Sequence, residues 1–569
     1  MRDDRRLEAN GSTVNSDATD WLVVLIFSSL FALAIGFTNG EANHSVYLLP
    51  GLHSAYPDFL AFDWYVTQTA PPIDVYSLLI STLARTGQLE IGLALGATVL
   101  SFSLAIASYM LARKLYEQPL VPWLLTLVLL AATGTRGVGL VLLVSPRLEP
   151  STIAGVALVF GLLALASDWP SLVAGALFGL AAVMHAHFAV LLIPIVGLVA
   201  ITYCSRGRLG DAVGLLVPFL LLGLPNYLNV IQFAGDPLLE KAETIGLARF
   251  PHHFDPRTWG PGQSLALALI VLSGLLGAVI RPPRLSPSLR TALVAVFAIA
   301  MISLAVGHAG LSRTVLRLFP WRLSTVVILF SLLFAFAAGS RVLPIPRRLT
   351  MVLLIGLLLG CIAAAMYGLV PLRFGVAVAS TAAAIGWLQK RPSVTIDLDD
   401  RDPSLLRWVP IALALIGILP SVADGIQSSH FEIRVSEPDR AEVYSWISGN
   451  APEGAIFISP PGWIDFRLVA ERAIVVDHKA TPVQPVDLIE WADRIQAVTG
   501  LPPGSESMKL DAAYFGADCA RLRSVRDRFA ARYAIRSRVS PQCGELVYKD
   551  SLWVVVDMGS VVPEPSPDP

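Results

Sequence analysis

The segment Pro57-Asp58-Phe59-Leu60-Ala61-Phe62-Asp63-Trp64-Tyr65 places two carboxylates and an aromatic pair soon after the first hydrophobic segment of the chain. It belongs to a stretch of acidic residues, His and Trp that runs from Glu41 to Asp74. The loops that alternation puts on the same side of a membrane also carry His, Arg and Glu. This pattern indicates that the polar chemistry of the molecule is gathered on one face of a bilayer.

The composition of the chain defines its class. Hydrophobic residues make up 54% of the 569 residues and charged residues 15%, and the mean hydropathy is +0.63. These values exclude an ordinary soluble protein and indicate a polytopic membrane protein. The formal net charge of -1 gives no indication of a nucleic-acid partner, and the four cysteines have no zinc-binding spacing.

The hydrophobic segments predict the number of membrane crossings. A helix needs about 20 apolar residues to cross the hydrocarbon core. By this measure the sequence predicts about thirteen spans, at 21–38, 90–112, 120–145, 151–167, 171–186, 188–204, 211–232, 262–280, 290–307, 318–339, 349–368, 372–388 and 406–423. A break at 133–138 makes a re-entrant piece an alternative for the third segment.

Basic residues predict the orientation of these spans. If the tail 1–20 is cytoplasmic, the other inside loops hold most of the Arg and Lys residues that flank the spans, among them Arg113, Arg206, Arg281 and Arg348, as the positive-inside rule requires. The acidic loop 39–89 then faces out, and an odd number of crossings delivers residues 426–558 outside. Ala32-Leu33-Ala34 resembles a signal-peptidase site, but cleavage there leaves the downstream orientation unchanged.

The composition changes at residue 426 to that of a soluble domain. Short apolar strands alternate with helices, among them an amphipathic helix at 486–499, a basic helix at 519–533 and a final hairpin across 549–551. This alternation predicts a small extracytoplasmic α/β domain at 426–558 that follows a transmembrane domain at 21–425. The Pro-rich composition of residues 559–569 predicts a disordered tail. Outside placement makes a Cys519–Cys543 disulfide plausible, with unpaired thiols as the alternative.

Asp58 and Asp63 are candidate catalytic carboxylates in the acidic loop. Five residues on a helix correspond to about 140° of rotation, so the two side chains do not face one small site if the segment is helical. Pro57-Asp58 is a helix-start signal, which favours Asp58 as an N-cap. Asp63 is expected inside that helix near the bilayer surface, where catalysis and simple solvation are balanced alternatives.

Further polar residues fall at the other predicted outside turns. Arg147 and Glu149 bracket one turn, His185 and His187 lie at the next, and His253 lies in the long predicted outside loop, 233–261. All five are candidate substrate-binding residues. The two rings of a His-X-His pair point the same way only on a strand. A simple polar turn is therefore favoured over metal or substrate binding by this pair.

Three arginines lie at the start of the predicted span 318–339. Arg313 and Arg317 can snorkel to the membrane surface, whereas Arg322 lies two residues after Pro320 inside the apolar run. An unpaired cation there costs several kcal/mol. Because guanidinium matches phosphate in a bidentate manner, we expect Arg322, with Arg313 as a further candidate, to bind a lipid phosphate; pairing with an outside carboxylate is the alternative.

The whole pattern resembles the GT-C superfamily of integral-membrane glycosyltransferases. The features that carry the resemblance are the early outside Asp, the His at the top of paired short helices, the Pro-X-Arg opening of a late span and an outer α/β domain with Trp446-Ile-Ser-Gly-Asn, Pro460-Pro461, Asp465-Phe466-Arg467, Lys479 and Glu490-Trp491. The Trp-Trp-Asp-Tyr-Gly signature of oligosaccharyltransferases is absent. His185-Ala186-His187 replaces the common His-Pro.

The resemblance implies a membrane enzyme that moves a sugar from a polyprenyl-phosphate carrier to an envelope glycan, lipid or protein on the outer face of the cell membrane. Asp63 would be the base that takes the acceptor proton, and Arg322 would steady the departing phosphate. A divalent metal is compatible with this chemistry but is not required. The alternatives are a transporter or flippase of a lipid-linked or polar substrate and a non-enzymatic envelope protein with a binding C-terminal domain.

Overall fold

The computed structural model describes residues 21–116, 137–339 and 419–559, except positions 23, 72, 168, 235, 260, 313–315, 317 and 420. In this part of the chain, five helices have the length and apolar composition needed to cross a membrane. They are α5 (Leu89–Tyr116), α8 (Ala186–Cys204), α9 (Leu209–Ala234), α12 (Pro261–Ile280) and α13 (Pro287–His308). The protein is therefore a polytopic α-helical membrane protein.

Shorter helices complete the apolar set. They are α1 (Val24–Ile35), α6 (Pro150–Ala166), α7 (Ser171–Met184) and α14 (Ser324–Gly339). Residues 421–428 are also helical. The predicted spans 349–368 and 372–388 lie outside the described residues, as do 120–136 and 406–418, so the prediction of thirteen crossings stays a prediction.

Three predicted spans differ from the structure at an end. The first helix stops at Ile35, before the predicted 38, because Gly36 has a left-handed φ of +68°. The predicted segment 120–145 is not helical at its end, where a 3₁₀ turn at Val138–Leu140 contains Gly139 with φ 69°. The predicted span 318–339 begins with a 3₁₀ turn at Pro320–Leu323, so the α-helix starts only at Ser324.

The chain forms two compact units. The first unit contains the described residues of Met1–Phe37, Leu95–Tyr227 and His252–Ser429. The second unit contains Thr38–Ala94, Leu228–Pro251 and the described residues from His430 onward. The C-terminal segment thus shares its unit with the acidic first loop and with part of the long outside loop. The sequence shows no such grouping, because these segments are far apart along the chain.

The second unit contains a five-stranded mixed sheet. Its strands are β1 (Ile456–Ile458), β2 (Ala473–Ile474), β3 (Tyr533–Ser537), β4 (Glu545–Lys549) and β5 (Trp553–Asp557), in the order β2-β1-β3-β5-β4. Strand β1 runs parallel to β2 and β3, whereas β5 is antiparallel to β3 and β4. Phe457, Ile535 and Val555 are fully buried in one hydrophobic core with Tyr444 and Trp463.

Helices surround this sheet and the loop segments of the second unit. They are α2 (His44–Ala55), α3 (Trp64–Gln68), α4 (Asp74–Arg85), α10 (Leu239–Arg249), α15 (Ala441–Asn450), α16 (Phe466–Val469), α17 (Pro485–Thr499), α18 (Ser507–Phe515) and α19 (Cys519–Phe529). Helix α11 (Pro251–Phe254) continues the long outside loop. The structure confirms the disulfide between Cys519 and Cys543, whose Cα atoms are 5.1 Å apart.

Candidate functional sites

Asp63 lies in the core of the second unit, and the prediction of a helix that contains Asp63 and is capped by Asp58 is wrong. Residues 57–62 form turns, with Leu60 in a left-handed conformation. Asp63 has an extended backbone and caps α3, because its Oδ1 accepts the Val66 N–H at 3.2 Å. An N-cap carboxylate of this kind satisfies a helix N–H that has no partner within the helix.

The second carboxylate oxygen of Asp63 binds the C-terminal segment. Oδ2 accepts the Nε–H of Arg467 at 2.7 Å and the Ile474 N–H at 3.1 Å. Both side chains of the ion pair are at most 2% exposed. Because both oxygens of Asp63 are occupied and the side chain is buried, an acceptor hydroxyl does not reach it in this conformation.

Arg467 links Asp63 to a second buried carboxylate, Asp477. Its Nη1–H donates to Asp477 Oδ2, while Asp477 Oδ1 accepts the backbone N–H groups of Lys479 and Ala480, each at 2.6 Å. Burial raises the pKa of Asp477, and the attraction of Arg467 opposes that rise. We call Asp63, Arg467 and Asp477 the buried triad. Because two carboxylates share one guanidinium, Arg467 cannot be removed without leaving buried charge uncompensated.

The segment after Asp477 also holds the long outside loop. The His478 carbonyl accepts hydrogen bonds from Arg249 Nε at 3.1 Å and Nη2 at 2.6 Å. Burial lowers the pKa of Arg249 to about 10. Burial and the nearby Arg249 cation lower the pKa of the His478 imidazole to about 4. Residues 477–480 therefore connect three segments of this unit. They contact the long loop through Arg249, and they contact the first loop through Arg467.

Asp58, in contrast, lines an open cavity of about 280 Å³ in the same unit. We call this space the outer cavity; its polar lining consists of Tyr56, Asp58, Arg434, Glu453, Glu471 and Arg472. Arg434 pairs with Glu471, and Arg472 donates to the backbone carbonyls of Ser448, Ala451 and Glu471. Of the two candidate loop carboxylates, Asp58 is the one that a ligand can reach.

A second cavity, of about 520 Å³, adjoins the outer cavity. We call it the helix-end cavity, because Leu89, Glu90 and Ile91 at the start of α5 line it. Leu52, Tyr56, Ile433 and Arg434 line both cavities. The two spaces together fall in the range of about 300–1,000 Å³ that is typical of ligand sites.

In the first unit, four candidates from three segments of the chain meet around Phe319. Its ring centroid lies 5.7 Å from that of His187 and 5.6 Å from that of His253. The guanidinium carbon of Arg322 lies 4.8 Å from the Phe319 centroid. His185 joins through His187, with ring centroids 5.3 Å apart. We call these five residues the histidine–aromatic cluster.

Local structure fixes the parts of this cluster. His185 is the single residue between α7 and α8. Its Nδ1 accepts the His187 N–H at 3.3 Å. His253 Nδ1–H donates to the Gly139 carbonyl at 2.8 Å, and the Trp321 indole donates to the His253 carbonyl at 2.6 Å. Phe319 has φ 48° although it precedes a proline, a strained conformation of the kind found at functional sites.

The remaining candidates are placed elsewhere or lie outside the description. Arg147 Nε–H donates to Glu149 Oε1 at 2.7 Å, so these two substrate-binding candidates form an ion pair with each other. Arg313 and Arg317 are outside the described residues. Within the described ranges, no group of three or more His, Cys, Asp or Glu side chains is arranged to hold a metal ion.

Several residues of these sites are not predicted from the sequence. Arg467 is prominent there only within a family-like motif, and Phe319, Tyr56, Arg434 and Glu471 have no predicted role. A signal for Arg467 did exist, because an arginine between Phe466 and Leu468, in a short apolar run, is expected to need a carboxylate partner. No local pattern pointed to Asp63, which is 404 residues away.

Comparisons with known proteins give limited matches. Residues 438–498 match the model of a domain of unknown function, DUF6798, and this segment contains Arg467, Asp477 and Trp491. A comparison with curated proteins finds no match. Among solved structures, ArnT from Cupriavidus metallidurans in the apo state is similar at 14% sequence identity and a TM-score of 0.47, over 97% of this chain and 98% of that one.

Proposed function

We propose that this protein is a membrane glycosyltransferase that takes a sugar from a polyprenyl-phosphate carrier on the extracytoplasmic face and transfers it to an envelope glycan, lipid or protein. The histidine–aromatic cluster is the observation that carries this proposal. It gathers imidazole and guanidinium groups at the ends of apolar helices, where the phosphate of a membrane-embedded lipid lies. Imidazole and guanidinium N–H groups are donors to phosphate oxygens.

In the proposed reaction, the bond between the anomeric carbon and the carrier phosphate oxygen breaks, and a bond to an acceptor hydroxyl oxygen forms. The bond-breaking step leaves negative charge on the phosphate, which Arg322 stabilises by hydrogen bonds made in a water-poor environment. His185, His187 and His253 supply further donors. The acceptor hydroxyl loses its proton to a general base.

The aromatic members of the cluster have a second role in this proposal. Phe319 supports the Arg322 guanidinium through a cation–π contact, and Phe188 lies 5.9 Å away on the same cation. Such contacts hold a guanidinium in place without neutralising its charge. Phe319 and Phe188 thus help to orient the Arg322 guanidinium.

The experiment that tests this proposal measures the binding of polyprenyl monophosphate to the full-length protein in lipid nanodiscs. We expect Arg322→Gln to weaken binding by about tenfold or more, because a hydrogen bond to a charged group is worth about 1.5–3 kcal/mol. Arg322→Lys should weaken it less, since the charge remains and only the bidentate geometry is lost.

Arg208→Gln is the matched control. Arg208 belongs to the same unit, and its exposed side chain pairs with Asp211 at 2.7 Å, away from the cluster. Binding by this variant should equal that of the wild type. Equal affinity for polyprenyl monophosphate in the wild type and Arg322→Gln would reject the phosphate role of the cluster.

A further inference from the structure

The two adjoining cavities of the second unit differ in their surroundings. Five of the ten residues that line the outer cavity are charged, including Asp58 and Glu453. Three of the ten residues that line the helix-end cavity are charged, and the others include Leu89 and Ile91. These two residues lie in the first turn of α5, a 28-residue helix with the composition of a membrane span. A ligand that fills both spaces has one end among charged groups and the other end beside a membrane helix.

From this arrangement we infer that the cavity pair binds an amphiphile, a lipid-anchored acceptor whose hydroxyl-rich head group occupies the outer cavity and whose apolar part lies in the helix-end cavity. Binding of the amphiphile requires no reaction, but its role as sugar acceptor rests on the proposed glycosyl transfer. It selects a lipid or lipid-linked glycan from the three acceptor classes of the proposed function, over a protein or a free glycan.

The charges of the lining favour hydroxyl groups over an anionic head group. Five carboxylates line the two cavities, together with two arginines. Both arginines are already engaged, because Arg472 donates to backbone carbonyls and Arg434 pairs with Glu471. Asp58 and Glu453 are therefore acceptors that face a ligand, and they bind hydrogen-bond donors such as sugar hydroxyls. A phosphate or carboxylate head would meet like charge.

The shared wall explains how one ligand can reach both spaces. Tyr56 lies in both linings, and its hydroxyl donates to the Ala84 carbonyl at 2.7 Å, which fixes the ring against α4. Ile433 is held by a hydrogen bond from its N–H to Glu90 Oε1 at 3.3 Å. The Tyr56 ring and the Ile433 side chain thus lie at the junction of the two cavities, where the head group of a bound amphiphile joins its alkyl chain. Sugar rings and alkyl chains both pack on such groups.

The test uses photolabelling of the full-length protein in nanodiscs with dodecyl glucoside that carries a diazirine in its alkyl chain. We expect labelled peptides to include Leu89–Ile91. Unlabelled dodecyl glucoside should protect these peptides, whereas glucose and dodecyl phosphate at equal concentration should not. Ile91→Glu places a charge beside the alkyl chain, and Asp58→Ala removes a head-group acceptor; each should lower specific labelling by about tenfold.

The controls are surface substitutions in the same unit. Leu78 is 68% exposed on α4 and Asp74 is exposed in the first turn of that helix, and neither lines a cavity. Leu78→Glu and Asp74→Ala should therefore leave labelling unchanged. Equal protection by dodecyl phosphate, or labelling insensitive to Ile91→Glu and Asp58→Ala, overturns the inference. Polyprenyl monophosphate binding is measured separately, so a failure of the transferase proposal is distinguishable from a failure here.

Discussion

Asp63 and Arg467, which are 404 residues apart in the chain, form an ion pair of 2.7 Å in which neither side chain is more than 2% exposed. The pair joins the loop 39–89 to the C-terminal segment within one compact unit. Arg467 also binds Asp477, and Asp477 orders the segment that accepts Arg249. The buried triad therefore stabilises the packing of these segments in the second unit.

The first prediction concerns the stability that the buried triad contributes to the fold. Asp63→Asn replaces the buried carboxylate that accepts the Arg467 and Ile474 N–H groups with a neutral amide. Because a hydrogen bond to a charged group is worth about 1.5–3 kcal/mol, we expect the free energy of unfolding to fall by about 3 kcal/mol. Asp58→Asn, at an exposed position, should cost less than about 0.5 kcal/mol. Thermal unfolding of both full-length variants in detergent measures the difference. Equal melting temperatures for the two variants would contradict a stabilising role for Asp63.

The second prediction is a pH dependence at His478. Its folded-state pKa of about 4 lies below the ordinary value of 6.5, so folding favours the neutral ring. The stability is fully present above pH 6.5 and is lost as pH falls from 6.5 towards 4, by about 2 kcal/mol because the ring is partly screened. His478→Asn should reduce the loss of melting temperature between pH 7 and pH 4.5. An unchanged loss in His478→Asn would contradict this assignment.

The third prediction concerns the cysteines. Because Cys519 and Cys543 are bonded, a polyethylene-glycol maleimide should label two more thiols after reduction than before it. Cys204 is exposed and free, and Cys204→Ser should not change that difference of two. Cys519→Ser should abolish it and destabilise the outer domain by roughly 3 kcal/mol, given a loop of 24 residues. The same labelling pattern with and without reductant would exclude the bond in cells.

The fourth prediction is the orientation of the C-terminus. If the Arg-rich tail is cytoplasmic and the number of crossings is odd, residues 426–558 lie on the extracytoplasmic side, where disulfides persist. A reporter that is active only in the cytoplasm should be silent when it is fused at position 565. Strong reporter activity would show that the number of crossings is even.

Local signals made part of this fold predictable from the sequence. Helix α17 was predicted at 486–499 and is observed at Pro485–Thr499, since Trp491, Ile495 and Val498 recur on one buried face and Gly500 with φ 76° ends the helix. Strand β3 was missed because α19 ends at Ala530, which has φ 52° without being a glycine. The basic helix was therefore extended to Tyr533, the first residue of β3.

The sites were less predictable, for a physical reason. His185, His187, His253 and Arg322 were found as polar residues at predicted outside turns, because polar residues at membrane depth are conspicuous. Their convergence on Phe319 depends on tertiary packing that the sequence does not display. The burial of Asp63 is unpredictable for the same reason, because it depends on Arg467, which is 404 residues away in the chain.

The most direct test of the account is the release of polyprenyl phosphate from a panel of polyprenyl-phosphate sugars, measured in membranes that contain the full-length protein at matched abundance. We predict release from at least one donor above the level of membranes that lack the protein, a loss of about 10²-fold in Arg322→Gln, and wild-type release in Arg208→Gln. Release that is equal in the wild type, Arg322→Gln and protein-free membranes, for every donor, would contradict glycosyl transfer at the histidine–aromatic cluster.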